Sequence, residues 1–319
     1  MSTITNKKLY EWCKVPVGEL EHNKNFKIPF RLCNDNTEMG YIMARELADL
    51  INENNKIGRH TRAIIPCGPD SWYAPFTQIV NEENISLKKL IVFHMDECLD
   101  WQGNELPKNH PYSFRGFMEK YFYDPVCSEL SVEIENRNWL NAKNIEDIKS
   151  KINEAAIDIT YGGWGQDGHV AYNQSRRHPF NHITLDELRE STIRIQENNF
   201  DTIIALAHRT FGAAYQFVPP MSVTLGMKEC LSAKKIRLFS GTGAWKQTAL
   251  RVALFSELTP EYPITLLQEH PDALLTATIE TASHPISEHP EWDLGISLEQ
   301  NYTLSDSELI NKIAGDGTK

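Results

Sequence analysis

The chain has 319 residues, of which 41% are hydrophobic and 24% charged, and its formal net charge is −11. These proportions are typical of a globular protein with a large core, and the acidic balance argues against nucleic-acid binding through a basic face. No apolar run of about 20 residues could cross a membrane, and the first 26 residues lack the apolar segment of a signal peptide. Six cysteines without pairing or metal-ligand spacing favour free thiols in a cytoplasmic protein.

Apolar strand-like runs alternate with amphipathic helical patterns along the chain. In chain order the predicted elements are a helix at 34–54, a strand at 62–68, a helix at 71–83, a strand at 88–97, a helix at 144–155, strands at 157–163 and 234–241, and a helix at 243–255. Such alternation predicts a three-layer, doubly wound α/β fold with a mostly parallel, Rossmann-like sheet and helices on both faces. We interpret residues 1–31 and 286–319 as N- and C-terminal extensions of a single domain at 32–285.

Three of the predicted strand ends carry polar residues. They are Pro66–Ser71, His94–Glu97 and the stretch Gly162–Gln174, which reads GGWGQDGHVAYNQ. Ligands of open α/β sheets bind at the carboxyl ends of strands, near the point where the strand order reverses. We therefore expect these three stretches to meet at one binding site.

The glycine-rich stretch contains no phosphate-binding P-loop, which needs Gly-x4-Gly-Lys-Ser/Thr. Gly163–Gly168 formally fits the dinucleotide pattern Gly-x-Gly-x-x-Gly, but Trp164 and Asp167 would stand where a pyrophosphate approaches. The glycines are better interpreted as a sharp turn that exposes Asp167 and His169. Such a turn is either a plain connection or a device that aims a catalytic histidine.

Asp96 and Glu97 close an apolar strand, and adjacent strand residues point to opposite sides. One of the two carboxylates could act as a general base in a cleft, or both could solvate a loop and cap the next helix. Nearby histidines such as His94 and His110 make a metal site conceivable. Their spacings match no zinc or facial-triad signature, so we predict no metal.

Five stretches occur in an order that resembles the glucosamine-6-phosphate deaminase/isomerase family, of the same superfamily as the 6-phosphogluconolactonases. They are HMDE (94–97), PKNHPYSFRGFMEKYFYDPV (107–126), GGWGQDGHVAYN (162–173), SVTLGM (222–227) and GTGAWKQTAL (241–250). The resemblance covers about residues 34–285. The lactonases continue Asp-Gly-His with Thr-Ala-Ser, whereas this chain continues with 170–173, Val-Ala-Tyr-Asn, so the deaminase branch matches better.

The resemblance implies a role for each residue of a proton-transfer site. Asp96 would be the base that moves a proton between C2 and C1, and His169, oriented by Asp167, would help to open the sugar ring. The family completes this group with a Glu, where the present chain has Gln174. An uncharged Gln174 would leave His169 less basic.

The resemblance and the motif positions also imply a set of substrate-binding residues. The family's phosphate loop, Pro-Thr-Gly-Gly-Thr-Pro, corresponds here to Pro66–Ser71, where Pro69 removes an N–H donor and Asp70 adds an anion. A phosphate-binding Lys of the family corresponds to Pro220, so the substrate either lacks a phosphate or has its anion held elsewhere, near Arg176, Arg177 or Lys246. The expected substrate-binding residues are Gly68, Asp70, Ser71, Glu97, His110, Gly163, Gly165, Arg209 and Lys246.

The resulting hypothesis is an aldose–ketose isomerase or deaminase that acts on an amino sugar or sugar phosphate similar to glucosamine-6-phosphate. The chemistry implied needs neither a metal nor an organic cofactor. Two alternatives stay open, a non-catalytic sugar-binding homologue and a 6-phosphogluconolactonase-type hydrolase. The expected partner is a small sugar or sugar phosphate rather than nucleic acid or a membrane, and family members that form homo-oligomers make self-association conceivable.

Overall fold

The computed structural model describes residues 4–23, 25–176, 182–243, 245–292 and 294. Within them, ten strands alternate with helices. The strands are β1 (Phe30–Cys33), β2 (Thr61–Ile65), β3 (Leu90–His94), β4 (Asp96–Leu99), β5 (Arg137–Asn138), β6 (Ile159–Gly162), β7 (Arg194–Glu197), β8 (Met221–Thr224), β9 (Lys235–Ser240) and β10 (Ala273–Thr278).

Twelve α-helices and four other helical segments connect the strands in the described ranges. The α-helices are α1 (Asn6–Cys13), α2 (Val17–Leu20), α3 (Asn36–Lys56), α4 (Tyr73–Glu82), α5 (Phe114–Met118), α6 (Ile145–Asn153), α7 (Leu185–Arg189), α8 (Phe200–Phe211), α9 (Met227–Cys230), α10 (Gln247–Phe255), α11 (Ile279–Ala282) and α12 (Pro285–Glu288). A π-helical turn, Glu119–Tyr123, continues α5, and 3₁₀ turns lie at Ile134–Asn136, Tyr215–Phe217 and Pro263–Glu269.

Seven of the strands form one sheet in the order β1-β10-β9-β6-β2-β3-β5, and all neighbouring strands run parallel. The chain moves from β2 outward through β3 to β5 on one side. From β6 it moves outward through β9 and β10 on the other side. The strand order therefore reverses between β2 and β6, which are adjacent, and this is where a ligand crevice is expected.

Alternate residues of each strand pack against different helices, which places helices on both faces of the sheet. Ala63 and Ile65 of β2 face the core formed with α3 and α4, whereas Ile64 faces the core formed with α6. In β9, Phe239 joins the first core and Leu238 packs with α10 on the opposite face. This alternation follows from the period of two along a strand and confirms the predicted α/β fold.

A second, three-stranded antiparallel sheet has the order β4-β8-β7. The predicted strand at 88–97 is in fact two strands that belong to different sheets, since β3 ends at His94 and β4 begins at Asp96. Asp96 pairs with Thr224 at the start of this small sheet. The break between β3 and β4 thus places Asp96 at the carboxyl edge of the main sheet.

The N-terminal residues include a helix that packs onto the main body. Thr5 caps α1, which lies against α10, and the side chain of Arg251 in α10 donates to the backbone oxygen of Val15. The division into a domain at 32–285 with two extensions stays a prediction, as does self-association. No helix in the described ranges is long and apolar enough to cross a membrane.

Candidate active site

A cavity of about 500 Å³ opens at the carboxyl edge of the main sheet, where the strand order reverses. Its walls come from the segments that follow β2, β3, β6 and β9, from residues 111–117 around the start of α5, and from one side of α8. Of the residues predicted for the site, the lining includes Gly68, Asp70, Asp96, Gly163, Gly165, His169, Arg209 and Lys246. The topology therefore brings most of the predicted side chains to one place.

Asp96 faces the cavity from the first position of β4. Burial raises the pKa of its carboxyl from 3.8 to about 7, with a smaller contribution in the same direction from the charge of Glu97, while His169 lowers it. A carboxyl that is close to half ionised at neutral pH can both accept and return a proton. Its environment is that of a tuned acid–base group.

The loop after β6 folds into a tight turn that presents His169 to the cavity. The amide of Gly168 (φ +75°) donates to the oxygen of Gly165 at 3.0 Å, and the amide of Gly165 donates to the oxygen of His169 at 2.9 Å. Asp167 is buried beneath the turn, and its Oδ1 lies 2.6 Å from His169 Nδ1 and accepts from the His169 amide at 3.2 Å. The 2.6 Å contact is a close ion-pair distance rather than a well-aligned hydrogen bond.

Gly165 leaves room for the imidazole of His169. A Cβ atom at this position would lie 2.1–2.6 Å from the ring atoms Cε1, Nδ1 and Nε2 of His169. Any side chain would therefore displace the ring, which cannot move into the space occupied by Asp167. The glycine predicted as a substrate contact is also a positioning residue for the histidine.

Two cationic side chains, Arg209 of α8 and Lys246 at the start of α10, line the cavity. The guanidinium of Arg209 lies 5.8 Å from the centroid of the Trp245 ring. Burial and the charge of Arg209 lower the pKa of Lys246 to about 8, while Asp167 acts in the opposite direction. Neither cation has a carboxylate within 4.0 Å in the described part of the chain.

The loop after β2 forms another part of the wall and offers little to an anion. The hydroxyl of Tyr73 donates to the backbone oxygens of Pro66 and Cys67, at 2.7 and 3.0 Å, and the Gly68–Pro69 peptide bond is cis. Pro69 has no N–H, and Asp70 is exposed at the rim of the cavity. The loop thus presents a carboxylate where the sequence resemblance implies a phosphate contact.

Besides Asp167, which lies beneath the turn, four predicted site residues do not line the cavity. Glu97 accepts backbone hydrogen bonds from Cys98, Phe114 and Arg115, so its carboxylate caps α5. The ring of His110 accepts from the amide of Tyr112, and the carbonyl of Ser71 packs against Gly40 of α3. The fourth is Gln174, whose contacts lie elsewhere.

Gln174 is buried and turned toward the β7–α8 connection. Its Nε2 donates to the oxygen of Glu197 at 3.1 Å, and its Oε1 accepts from the amide of Asn199 at 2.7 Å. The structure places no contact between Gln174 and His169. Arg176 is exposed and does not line the cavity, and Arg177 lies outside the described residues.

Several cavity residues could not be assigned from the sequence. Tyr172 and the ring of Trp245 line the wall, and α8 contributes Thr202, Ala205 and Leu206. Residues 200–211 form α8, but nothing local in their sequence shows that one side of this helix faces a distant strand end. In the described ranges, no three His, Cys, Asp or Glu side chains are placed to hold a metal ion.

Known proteins that are similar to this chain include two relatives with the same description. The chain is 30% identical to a glucosamine-6-phosphate deaminase of Caenorhabditis elegans over 232 residues, which covers 71% of this chain and 80% of the relative. It is 31% identical to a glucosamine-6-phosphate deaminase of Parabacteroides distasonis over 221 residues, covering 66% and 74%.

Solved structures with the same fold include two members of the wider superfamily. A monomeric glucosamine-6-phosphate deaminase superposes with a TM-score of 0.67 at 22% identity, covering 80% of this chain and 99% of that one. A 6-phosphogluconolactonase from Shewanella baltica superposes with a TM-score of 0.57 at 14% identity, covering 79% and 97%. No family model matches the chain. The identity and coverage of the curated relatives show that this chain belongs to the glucosamine-6-phosphate deaminase family and is an enzyme of that family.

Proposed function

We propose that the chain converts a hexosamine 6-phosphate, or an amino sugar with a similar anion, and water into the ketose and ammonia. The observation that carries this proposal is the single cavity shared by Asp96, His169 and two cationic side chains, Arg209 and Lys246. The names of the curated relatives support the same substrate class.

Asp96 is the proposed base for the C2 proton of the open-chain sugar. Its raised pKa of about 7 lets the same carboxyl take the proton at C2 and return it at C1. Because Glu97 is engaged by three backbone amides, Asp96 is the member of the pair that remains accessible to a substrate. The aldose–ketose step is thus assigned to one side chain.

His169 is the proposed group that opens the sugar ring. Asp167 contacts Nδ1, so Nε2 is the nitrogen available to carry a proton between the anomeric hydroxyl and the ring oxygen. Ring opening must precede proton abstraction, because only the free aldehyde makes the C2 proton acidic. The position of His169 beside Asp96, whose pKa it lowers, is compatible with both steps on one bound sugar.

The charged groups follow one another in an order that matches a hexose 6-phosphate. Asp96 interacts with His169, His169 contacts Asp167, Asp167 interacts with Lys246, and Lys246 interacts with Arg209. In the sugar, C2 and C1 are followed by the ring oxygen and then by the phosphate on C6. This correspondence supports Arg209 and Lys246 as the anion-binding end, in place of the loop that carries Pro69 and Asp70.

The test is proton NMR in deuterated water with glucosamine 6-phosphate, glucosamine and glucose 6-phosphate as substrates. We expect loss of the C2 proton signal together with release of ammonia from the amino sugar phosphate. Asp96→Asn should slow the exchange by at least about 100-fold, whereas Asp124→Asn, at an exposed surface position, should not. Hydrolysis of a sugar lactone without C2 exchange would instead support the lactonase alternative.

A second test concerns the anion-binding end. Lys246→Met keeps an unbranched side chain of similar length and removes the charge. It should raise the KM for the phosphorylated sugar about tenfold or more, because a charge-assisted contact of roughly 1.5–3 kcal/mol is lost. An equal effect on the unphosphorylated sugar would contradict the assignment.

A further inference from the structure

Tyr172 is a fixed part of the cavity wall. Ala171, at φ 54°, turns the chain after the histidine motif, and the amide of Tyr172 then donates to Thr224 Oγ1 at 3.0 Å. Its backbone oxygen accepts a hydrogen bond from the side chain of Gln196. The phenol ring lies nearly parallel to the ring of His169, with an interplanar angle of 13° and centroids 5.7 Å apart. The hydrogen bonds with Thr224 and Gln196 thus fix the backbone of the residue whose phenol lies beside His169.

The hydroxyl of Tyr172 lies over the same side of β4 as Asp96. Its oxygen is 3.5 Å from Cys98 Sγ, and residues 96 and 98 project from one side of the strand. In the described part of the chain, this thiol is the hydroxyl's one hydrogen-bond partner, and sulfur is a weak acceptor. Burial, with the neighbouring Cys98 and Asp96, raises the pKa of the phenol well above 10, so it remains a neutral donor.

A neutral hydrogen-bond donor at this place would accelerate the reaction proposed above. When Asp96 takes the C2 proton, the C–H electron pair forms the C1–C2 double bond and the carbonyl pair moves onto the oxygen at C1. A preorganised donor aimed at an oxygen that becomes charged lowers the barrier, since its hydrogen bond strengthens in the transition state. The C1 oxygen lies within a few ångströms of the C2 proton, so the donor must lie close to the base.

We propose that the Tyr172 hydroxyl donates a hydrogen bond to the C1 oxygen of the substrate while Asp96 holds the C2 proton. Asp96 then returns the proton to C1, the amine electrons form the C2 iminium, and the C1 alkoxide takes a proton from water. The hydroxide that remains adds to the iminium carbon, which expels ammonia and leaves the ketose. Tyr172 keeps its own proton throughout. This inference rests on the proposed function and adds a substrate-contacting residue to it.

The test compares Tyr172→Phe with Tyr161→Phe in the full chain, by C2-proton exchange of glucosamine 6-phosphate. Both tyrosines are buried, but Tyr161 does not line the cavity, and its hydroxyl donates to the backbone oxygen of Met43 at 2.8 Å. Loss of a transition-state donor costs about 100- to 1,000-fold in kcat. We expect that loss in Tyr172→Phe with KM changed less than about threefold, and kcat within about threefold of the wild type in Tyr161→Phe.

The outcomes separate this inference from the proposed function. If the wild type exchanges the C2 proton and Tyr172→Phe does so at a rate within threefold of it, only the role of Tyr172 is overturned. A raised KM with unchanged kcat would also overturn it, because the hydroxyl would then only bind the ground state. Absence of exchange in the wild type would overturn the proposed function, and the inference with it. A thermal unfolding curve for each variant establishes that the compared proteins are folded.

Discussion

Replacing Asp96 with asparagine should stabilise the protein at neutral pH while it removes the proposed base. The side chain of Asp96 carries no hydrogen bond from the described residues that asparagine would lose, and its carboxyl is held where ionisation is unfavourable. Asparagine has nearly the same shape and no charge to bury. Groups placed for catalysis commonly lower the stability of the fold that holds them.

The magnitude follows from the displaced pKa. The carboxyl has a pKa of about 7 in the folded chain against 3.8 in the unfolded chain, and this difference corresponds to about 4 kcal/mol at pH 8. Water in the cavity screens part of that cost, so we expect Asp96→Asn to gain about 2–4 kcal/mol in the free energy of unfolding. In the folded state the carboxyl keeps its proton over pH 4–7 while the unfolded chain loses it. The contribution of this carboxyl to the free energy of unfolding of the wild type therefore falls as the pH rises through that window, and it is constant above it.

The assay is urea denaturation of the wild type and Asp96→Asn at pH 5 and pH 8. The gain in the free energy of unfolding at pH 5 should be less than about half of the gain at pH 8. At pH 5 the wild-type carboxyl is still mostly protonated in the folded state, so less of the cost of ionising it is present. Asp124→Asn, at an exposed position, supplies the control and should change the free energy of unfolding by less than about 0.5 kcal/mol. An Asp96→Asn variant that is equally or less stable at pH 8 would refute the reasoning.

Three further predictions concern the same cavity. In the wild type, kcat for C2 exchange should rise as the pH increases through about 7, since Asp96 acts only when ionised; a profile that is flat from pH 5.5 to 8 would contradict its role. Gly165→Ala should reduce kcat at least about 100-fold in a folded protein, because the added methyl group displaces the His169 ring; a normal rate would contradict this, with circular dichroism as the folding control. Gln174→Glu should lower the free energy of unfolding by about 1–3 kcal/mol, because a carboxylate cannot donate to the oxygen of Glu197; an unchanged urea midpoint would show that this bond contributes nothing.

Strands β2, β3, β6 and β9 of the main sheet and helices α3, α4, α6 and α10 could be predicted because each has a local signature. The continuous apolar run Ala63–Ile65 and the capped amphipathic helix at Asn36–Lys56 depend only on neighbouring residues. The antiparallel sheet could not be predicted in this way. Asp96 pairs with Thr224, which lies far along the chain, and nothing in the segment around Asp96 specifies that partner. Long-range pairing is a property of the packed fold, not of the local pattern.

The site was predictable in its positions but not in its contacts. The rule that ligands bind where strand order reverses, together with the family resemblance, places Asp96 and His169 at one cavity. Neither the rule nor the resemblance shows that Glu97, the neighbour of Asp96, caps a helix. Adjacent carboxylates differ only in the direction that the backbone gives them, and that direction depends on where β4 joins its sheet.

Gln174 connects the two halves of the proposed mechanism. Through its side-chain amide it both donates to the oxygen of Glu197 and accepts from the amide of Asn199, the residue that precedes α8. The motif that presents His169 is thereby tied to the helix that carries Arg209. A glutamate could accept from Asn199 but could not donate to Glu197, and it would add a buried negative charge. Glutamine at this position is therefore suited to fixing the helix that carries Arg209 relative to the histidine, a task that requires both a donor and an acceptor.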